Sequence, residues 1–152
     1  PGEEMANLYN LWPAAYAGKS FTLNSNHEMY SGANGFFTDA LGVTNSTPNG
    51  SGLFSAQGGS TCFLLQFGGW SLLGLDSAFM SSLTSAFMTG SIGGVYGTQG
   101  QWIQGLVNNN TITPDTTIVF SHHNGFADDT TSASPLWSEI RGSLGADPYA
   151  WY

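Results

Sequence analysis

Basic side chains are nearly missing from this chain: Lys19 and Arg141 are the only two in 152 residues. A protein that neutralises nucleic-acid phosphates needs several, because that charge supplies most of the affinity. Ten carboxylates bring the formal net charge to −8, so nucleic acid, acidic lipid and heparin are poor candidates as partners, and none is expected. Cysteine is almost as scarce. Cys62 stands alone, which excludes an intrachain disulfide framework and a cysteine-based zinc site. No long hydrophobic run exists either. The richest apolar stretch, Cys62–Met80, is broken by Gln66, Gly68–Gly69 and Asp76, so it makes a poor membrane span and no membrane partner is expected. Heptads, internal repeats and charge runs are absent. What is present is apolar and aromatic: 41% hydrophobic and 14% aromatic residues, too much for a disordered chain and enough for one domain with a core.

Met5, Leu8, Leu11 and Trp12 recur at helical spacing, with Glu3 and Glu4 in the first turn where the helix dipole favours anions. Pro13 ends that helix, and Gly18 reads as a stop. Ser20–Leu23 reads as a short buried strand, and residues 31–60, rich in Gly, Ser, Asn and Thr, as a long surface loop. Two apolar runs, Thr61–Phe67 and Trp70–Leu75, flank Gly68-Gly69, a pair suited to the positive φ of a tight hairpin turn. Their near-continuous apolar character predicts strands covered on both faces. Residues 77–100 read as a Gly/Ser/Thr-rich connection. Trp102, Ile103, Leu106 and Val107 then mark a helix, with Thr98 and Gln101 at capping-box spacing. Thr116–Phe120 is a β-branched strand. Ser134-Pro135 opens a last helix whose apolar face is Leu136, Trp137, Ile140 and Leu144, and Gly145 stops it. This order predicts a mixed α/β layer structure.

Two polar, histidine-bearing loops follow predicted strands, where ligand sites of open α/β sheets gather. The first contains Asn24-Ser25-Asn26-His27-Glu28; the second is Ser121-His122-His123-Asn124. An amide oxygen beside an imidazole offers one neutral ligand and one proton-transfer group, and a borderline divalent metal accepts both donor types. Adjacent histidines diverge, so His122 and His123 are not expected to bind one ion together. By residue type alone, a histidine at a strand end is more often a hydrogen-bonded structural group than a ligand.

Those loops carry a resemblance. Ser25-Asn26-His27-Glu28 resembles the Gly-Asn-His-Asp/Glu motif of calcineurin-like metallophosphoesterases, and Val119-Phe120-Ser121-His122 resembles their Val-x-x-His motif. Trp70–Ser77 is similar to the family strand ending in Leu-Asp-Ser/Thr, and Gln101-Trp102-Ile103 to the segment where members carry Gln-Trp-Leu. The likeness runs from about Ser20 to the last residue. It implies an α/β fold, part of a four-layer α/β/β/α sandwich, that hydrolyses small phosphate esters with two divalent metal ions of the Mn, Fe or Zn type. It also implies that Asn26 and His122 are metal ligands. His27 would contact the phosphate and assist the leaving group as an acid. His123 would lie at the substrate mouth or behind the ligands. Glu28, Asp76 and Asp128-Asp129 are better read as loop supports or solvent-facing groups.

The departures are as specific as the matches. The family's Asp-x-His and Gly-Asp-x-x have no counterpart, since no Asp precedes Asp39 and only His27 precedes His122. Its closing Gly-His-x-His is also absent, although Ala146–Tyr152 resembles the stretch that leads into it. The expectation is a single partial domain over residues 1–152, inactive or nearly so alone and prone to self-association. The rival is a non-catalytic binding or structural module. Sequons at Asn45, Asn49 and Asn109 suit a secreted or extracytoplasmic protein, though chance supplies such triplets in an Asn- and Thr-rich chain and is the favoured source. A hydrolase using Ser121 with His122 or His123 is a weaker rival, without a Gly-x-Ser-x-Gly elbow.

Overall fold

The structure, a computed structural model, describes residues 2–83, 87–125 and 132–152. The chain folds as two compact units, one comprising the chain up to Thr22 with His27–Thr61, the other Leu23–Asn26 with Cys62–Tyr152.

In the first unit, helix α1 spans Gly2–Leu11 and ends before Pro13, where the missing N–H and ring stop propagation. Leu8 and Trp12 pack onto the core, whereas Leu11 is exposed, so the buried stripe is narrower than the apolar spacing suggests. Ser20–Leu23 is not a strand. Its backbone finds no ladder, and the Thr22 N–H donates instead to the Gln57 side-chain carbonyl at 2.5 Å. One helical turn, α2, follows at Asn26–Met29. The stretch read as a surface loop builds its own core from Ala33, Phe36, Ala40, Leu41, Leu53 and Phe54. It does so with a π-helical turn at Gly35–Ala40 and a minimal antiparallel pair, β1 (Val43–Thr44) and β2 (Thr47–Pro48). None of these pieces is long enough to show a period of 3.6 or 2, so the sequence pattern does not reveal them.

The second unit is a four-stranded mixed sheet with helices. Strands β3 (Phe63–Phe67) and β4 (Trp70–Leu75) form the hairpin, with Gly68 and Gly69 at φ of +57° and +85°. These angles are left-handed at both turn positions, which glycine adopts without a Cβ penalty. A short helix α3 (Phe79–Leu83) lies in the Gly/Ser/Thr-rich connection. Helix α4 (Thr98–Asn108) begins after Gly97 with no side-chain cap. The expected capping box does not form, because Thr98 is already helical and the Gln101 amide donates to the Tyr96 carbonyl at 2.9 Å. Strand β5 (Thr117–Ser121) runs parallel to β4. Helix α5 (Pro135–Leu144) is capped as its sequence predicts: the Trp137 N–H donates to the Ser134 hydroxyl, and Gly145 ends it in the left-handed region. A two-residue strand β6 (Ala150–Trp151), too short to read from sequence, adds parallel to β5 and completes the order β3-β4-β5-β6.

One row of side chains shows how the sheet is held. Leu64, Leu73, Val119 and Trp151 are successive cross-strand partners and all belong to one hydrophobic cluster. Ile103 from α4 and Leu136, Ile140 and Leu144 from α5 complete that core. Each fully buried side chain of this size stabilises by about 1.5–3 kcal/mol relative to exposure. The opposite face is only half-buried at Leu65, Leu72, Ile118 and Phe120, and at the turn Phe67 is 84% exposed. Cover on both faces is thus not extended to the hairpin tip. No helix among the described residues is long and apolar enough to cross a membrane.

Candidate functional site

Because β4 and β5 are parallel, with Leu75 paired to Ser121, their carboxyl ends bring Asp76-Ser77 and His122-His123 together. The two imidazoles meet edge-on, with centroids 4.8 Å apart, and serve different partners. His123 is buried. Its Nε2 lies 3.0 Å from the Phe87 carbonyl, which can only accept, so Nε2 carries the proton. Nδ1 lies 2.9 Å from the Ser77 hydroxyl, and the His123 backbone N–H donates to the same oxygen at 3.2 Å. In the neutral ring Nδ1 accepts the Ser77 proton, and every polar atom of this pair is satisfied.

The Phe87 carbonyl also accepts from the Asn26 amide nitrogen at 3.2 Å. That bond fixes the amide orientation and turns Asn26 Oδ1 toward His122, whose Nε2 lies 3.0 Å away. Asn26 is buried, whereas His122 is exposed, so the pair sits at a rim open to solvent. Its spacing is that of an ordinary hydrogen bond, and it equals the separation of two neighbouring ligands on an ion. Two adjacent ligands at right angles on an ion, with bonds of about 2.1 Å, are about 3.0 Å apart. Asn26 Oδ1 and His122 Nε2 already hold that separation and need only lose the intervening proton to present two lone pairs. The donor set is neutral and amounts to a third of an octahedral shell. Among the described residues no group of three or more His, Cys, Asp or Glu side chains is placed to hold an ion.

Asp76 supports the loop. Fully buried, it accepts the Ala78 and Phe79 N–H groups on Oδ1, both at 3.0 Å, at the start of α3. Its backbone is clamped by Gln99, which accepts the Asp76 N–H at 2.9 Å and donates to its carbonyl at 2.8 Å. Asp76→Ala removes the acceptor of two N–H groups, that of Ala78 buried, and is expected to cost about 1–2 kcal/mol in denaturant unfolding. Asp76→Asn, which keeps an acceptor, costs less. A loss under about 0.5 kcal/mol for the alanine variant contradicts the capping role.

Ser121 is not arranged as a nucleophile. Its hydroxyl donates to the His123 carbonyl at 2.5 Å and accepts the Trp151 indole N–H at 2.7 Å. His27 belongs to the first unit, exposed, with its ring 5.3 Å from that of Tyr30 and edge-on. Glu28 is exposed as well. Asp128 and Asp129 lie outside the described residues. Of the sequence-derived candidates, then, Asn26 and His122 are joined directly across 96 positions, and His123 shares the Phe87 carbonyl with Asn26. Sequence reasoning missed the Phe87 carbonyl, a backbone group with no residue-type signal, and Gln99, which in the first turn of a helix looks like any solvent-facing amide. Ser77 lay within a recognised motif but carried no stated role.

Comparison of the chain with protein-family models, with curated proteins and with solved structures finds no match in any of the three.

Proposed function

We propose that the chain carries part of a metal-dependent phosphate-ester hydrolase of the calcineurin-like metallophosphoesterase type, within a four-layer α/β/β/α sandwich. The observation that supports it is that Asn26 and His122, the two residues the resemblance makes metal ligands, meet side chain to side chain next to the carboxyl end of β5. In this reading Asn26 Oδ1 and His122 Nε2 hold one of two divalent ions. When bound, such a pair supplies an activated water and positive charge at the phosphoryl oxygens. Phe87 and His123 keep the Asn26 amide from rotating its nitrogen toward the ion, an outer-layer function that metal sites commonly need. The resemblance gives His27, next in sequence to Asn26, the part of acid to the leaving oxygen. A small substrate suits the net charge of −8, since a long polyanion would be repelled along its whole length.

The test is sub-stoichiometric Mn²⁺ added to isotope-labelled protein. The Asn26 side-chain amide and the His122 ring are expected to broaden first. Broadening centred on exposed carboxylates such as Asp115 and Asp147, with Asn26 unaffected, overturns the assignment. Since the bridging carboxylate of the family motif has no counterpart in these 152 residues, hydrolysis of p-nitrophenyl phosphate by this chain alone is expected to stay at the blank rate. One observation favours the non-catalytic alternative: Asn26 and His122 are bonded to each other, so the network is satisfied as a structural clamp. Unchanged Asn26 signals with both Mn²⁺ and Zn²⁺ support that reading.

A further inference from the structure

The strand register sorts the sheet of the second unit into two faces. Leu64, Leu73, Val119 and Trp151 pack with α4 and α5 on one of them. The residues between them point the other way, where Leu65, Leu72, Ile118 and Ala150 are successive partners. Beside that row Phe63 and Phe120 flank Gly74, and the Phe63 ring fills the space a Gly74 side chain would take. Phe67 and Trp70 close this second face at the hairpin turn. Tyr152, stacked on Phe120 with 5.8 Å between centroids, closes it at the opposite corner. None of these side chains belongs to either hydrophobic core of the described residues.

Size and charge decide what such a face can pair with. Phe67, Trp70 and Tyr152 are 84%, 37% and 73% exposed, and Tyr149, edge-on against Trp70, is 64% exposed. At roughly 150–250 Å² per aromatic residue, these four present on the order of 500 Å². The half-buried Phe63, Leu65, Leu72, Ile118 and Phe120 add to it. A stable interface takes about 800 Å² from each partner, and solitary proteins seldom expose so large an apolar patch. No charged residue lies on any of the four strands, although the chain carries ten carboxylates. A basic partner, the kind an acidic protein attracts, finds no counter-charge there. An identical apolar face does match it, and two-fold symmetry sets one such face on another.

We propose that two copies of the chain pair through this face, sheet against sheet, about a two-fold axis. The pairing rests on register, exposure and charge, and stands whether or not the phosphoester reading holds. Like charges on the rest of the two surfaces oppose the approach, so added salt strengthens the pair.

Sedimentation velocity from about 2 to 200 µM, at about 50 and 500 mM NaCl, tests it. A monomer–dimer equilibrium is expected, tighter at the higher salt. Phe67→Glu and Tyr152→Glu each put a carboxylate on the face at a position already exposed in the monomer, so the fold is spared. Each should weaken dimerisation about tenfold or more. Tyr96→Glu, at a residue 86% exposed ahead of α4, should leave it within about twofold. A chain that stays monomeric at the highest concentration overturns the proposal and leaves the face to a different partner. Dimers broken by Phe67→Glu but not by Tyr152→Glu overturn it too, since they mark pairing along the open edge of β3. Weakening by salt, equal loss with Tyr96→Glu, or growth past the dimer has the same consequence.

Discussion

Gly90→Ala is expected to lower stability by about 3 kcal/mol and the melting temperature by about 6–12 °C. Two separate costs add. Gly90 adopts φ +76°, where an L side chain is strained, and a Cβ there would lie 2.7 Å from the Cβ and Cγ of His123. The neighbour cannot swing away cheaply, because the His123 ring is held at both nitrogens, by Ser77 and by the Phe87 carbonyl. Gly68→Ala isolates the first cost: its φ is +57° but nothing lies within 4 Å of the added carbon, so about 1–2 kcal/mol of strain is all it should show. Thermal unfolding of both variants checks the difference. Equal losses in the two contradict close contact at Gly90. The Gly90 variant should also weaken Mn²⁺ binding, since a displaced His123 releases the carbonyl that orients Asn26.

The second large effect concerns the proposed ligands. Asn26→Ala and His122→Ala are each expected to reduce Mn²⁺ affinity by about tenfold or more, since even outer-layer partners of a metal are typically worth about 10–100-fold. His27→Ala, by contrast, should leave affinity unchanged within about twofold. Isothermal titration with the three variants reads these affinities directly. Equal metal loss in all three would contradict the role given to His27, and no loss in any would leave Asn26 and His122 as a structural clamp.

Legibility in the sequence follows the length and regularity of each element. The hairpin is readable because Gly68-Gly69 allows one kind of turn between two apolar runs. Helix α5 is readable because Ser134, Pro135 and Gly145 act within one turn of their own position. The α4 cap misleads, since Thr98 and Gln101 have capping-box spacing while the chain enters the helix one residue earlier, at Gly97. Ser20–Leu23 misleads for the opposite reason: its residues suit a strand, but a strand also needs a neighbouring strand in register, and these residues take irregular backbone. The core around Phe36, Leu41 and Phe54 is hidden because irregular turns bury apolar residues without a repeating interval.

The scarce cations, the lone cysteine and the broken apolar runs are properties of the residue list, so the expectations drawn from them need no coordinates. The polar loops that hold Asn26, His122 and His123 are likewise marked by residue type alone. Their association is not. Asn26 and His122 stand 96 positions apart, and the fold brings amide and imidazole to 3.0 Å with the Phe87 carbonyl orienting the amide. Local rules act over a turn or a hairpin. A distance between remote side chains is the outcome of register, strand direction and backbone hydrogen bonds, none of which any single residue type encodes.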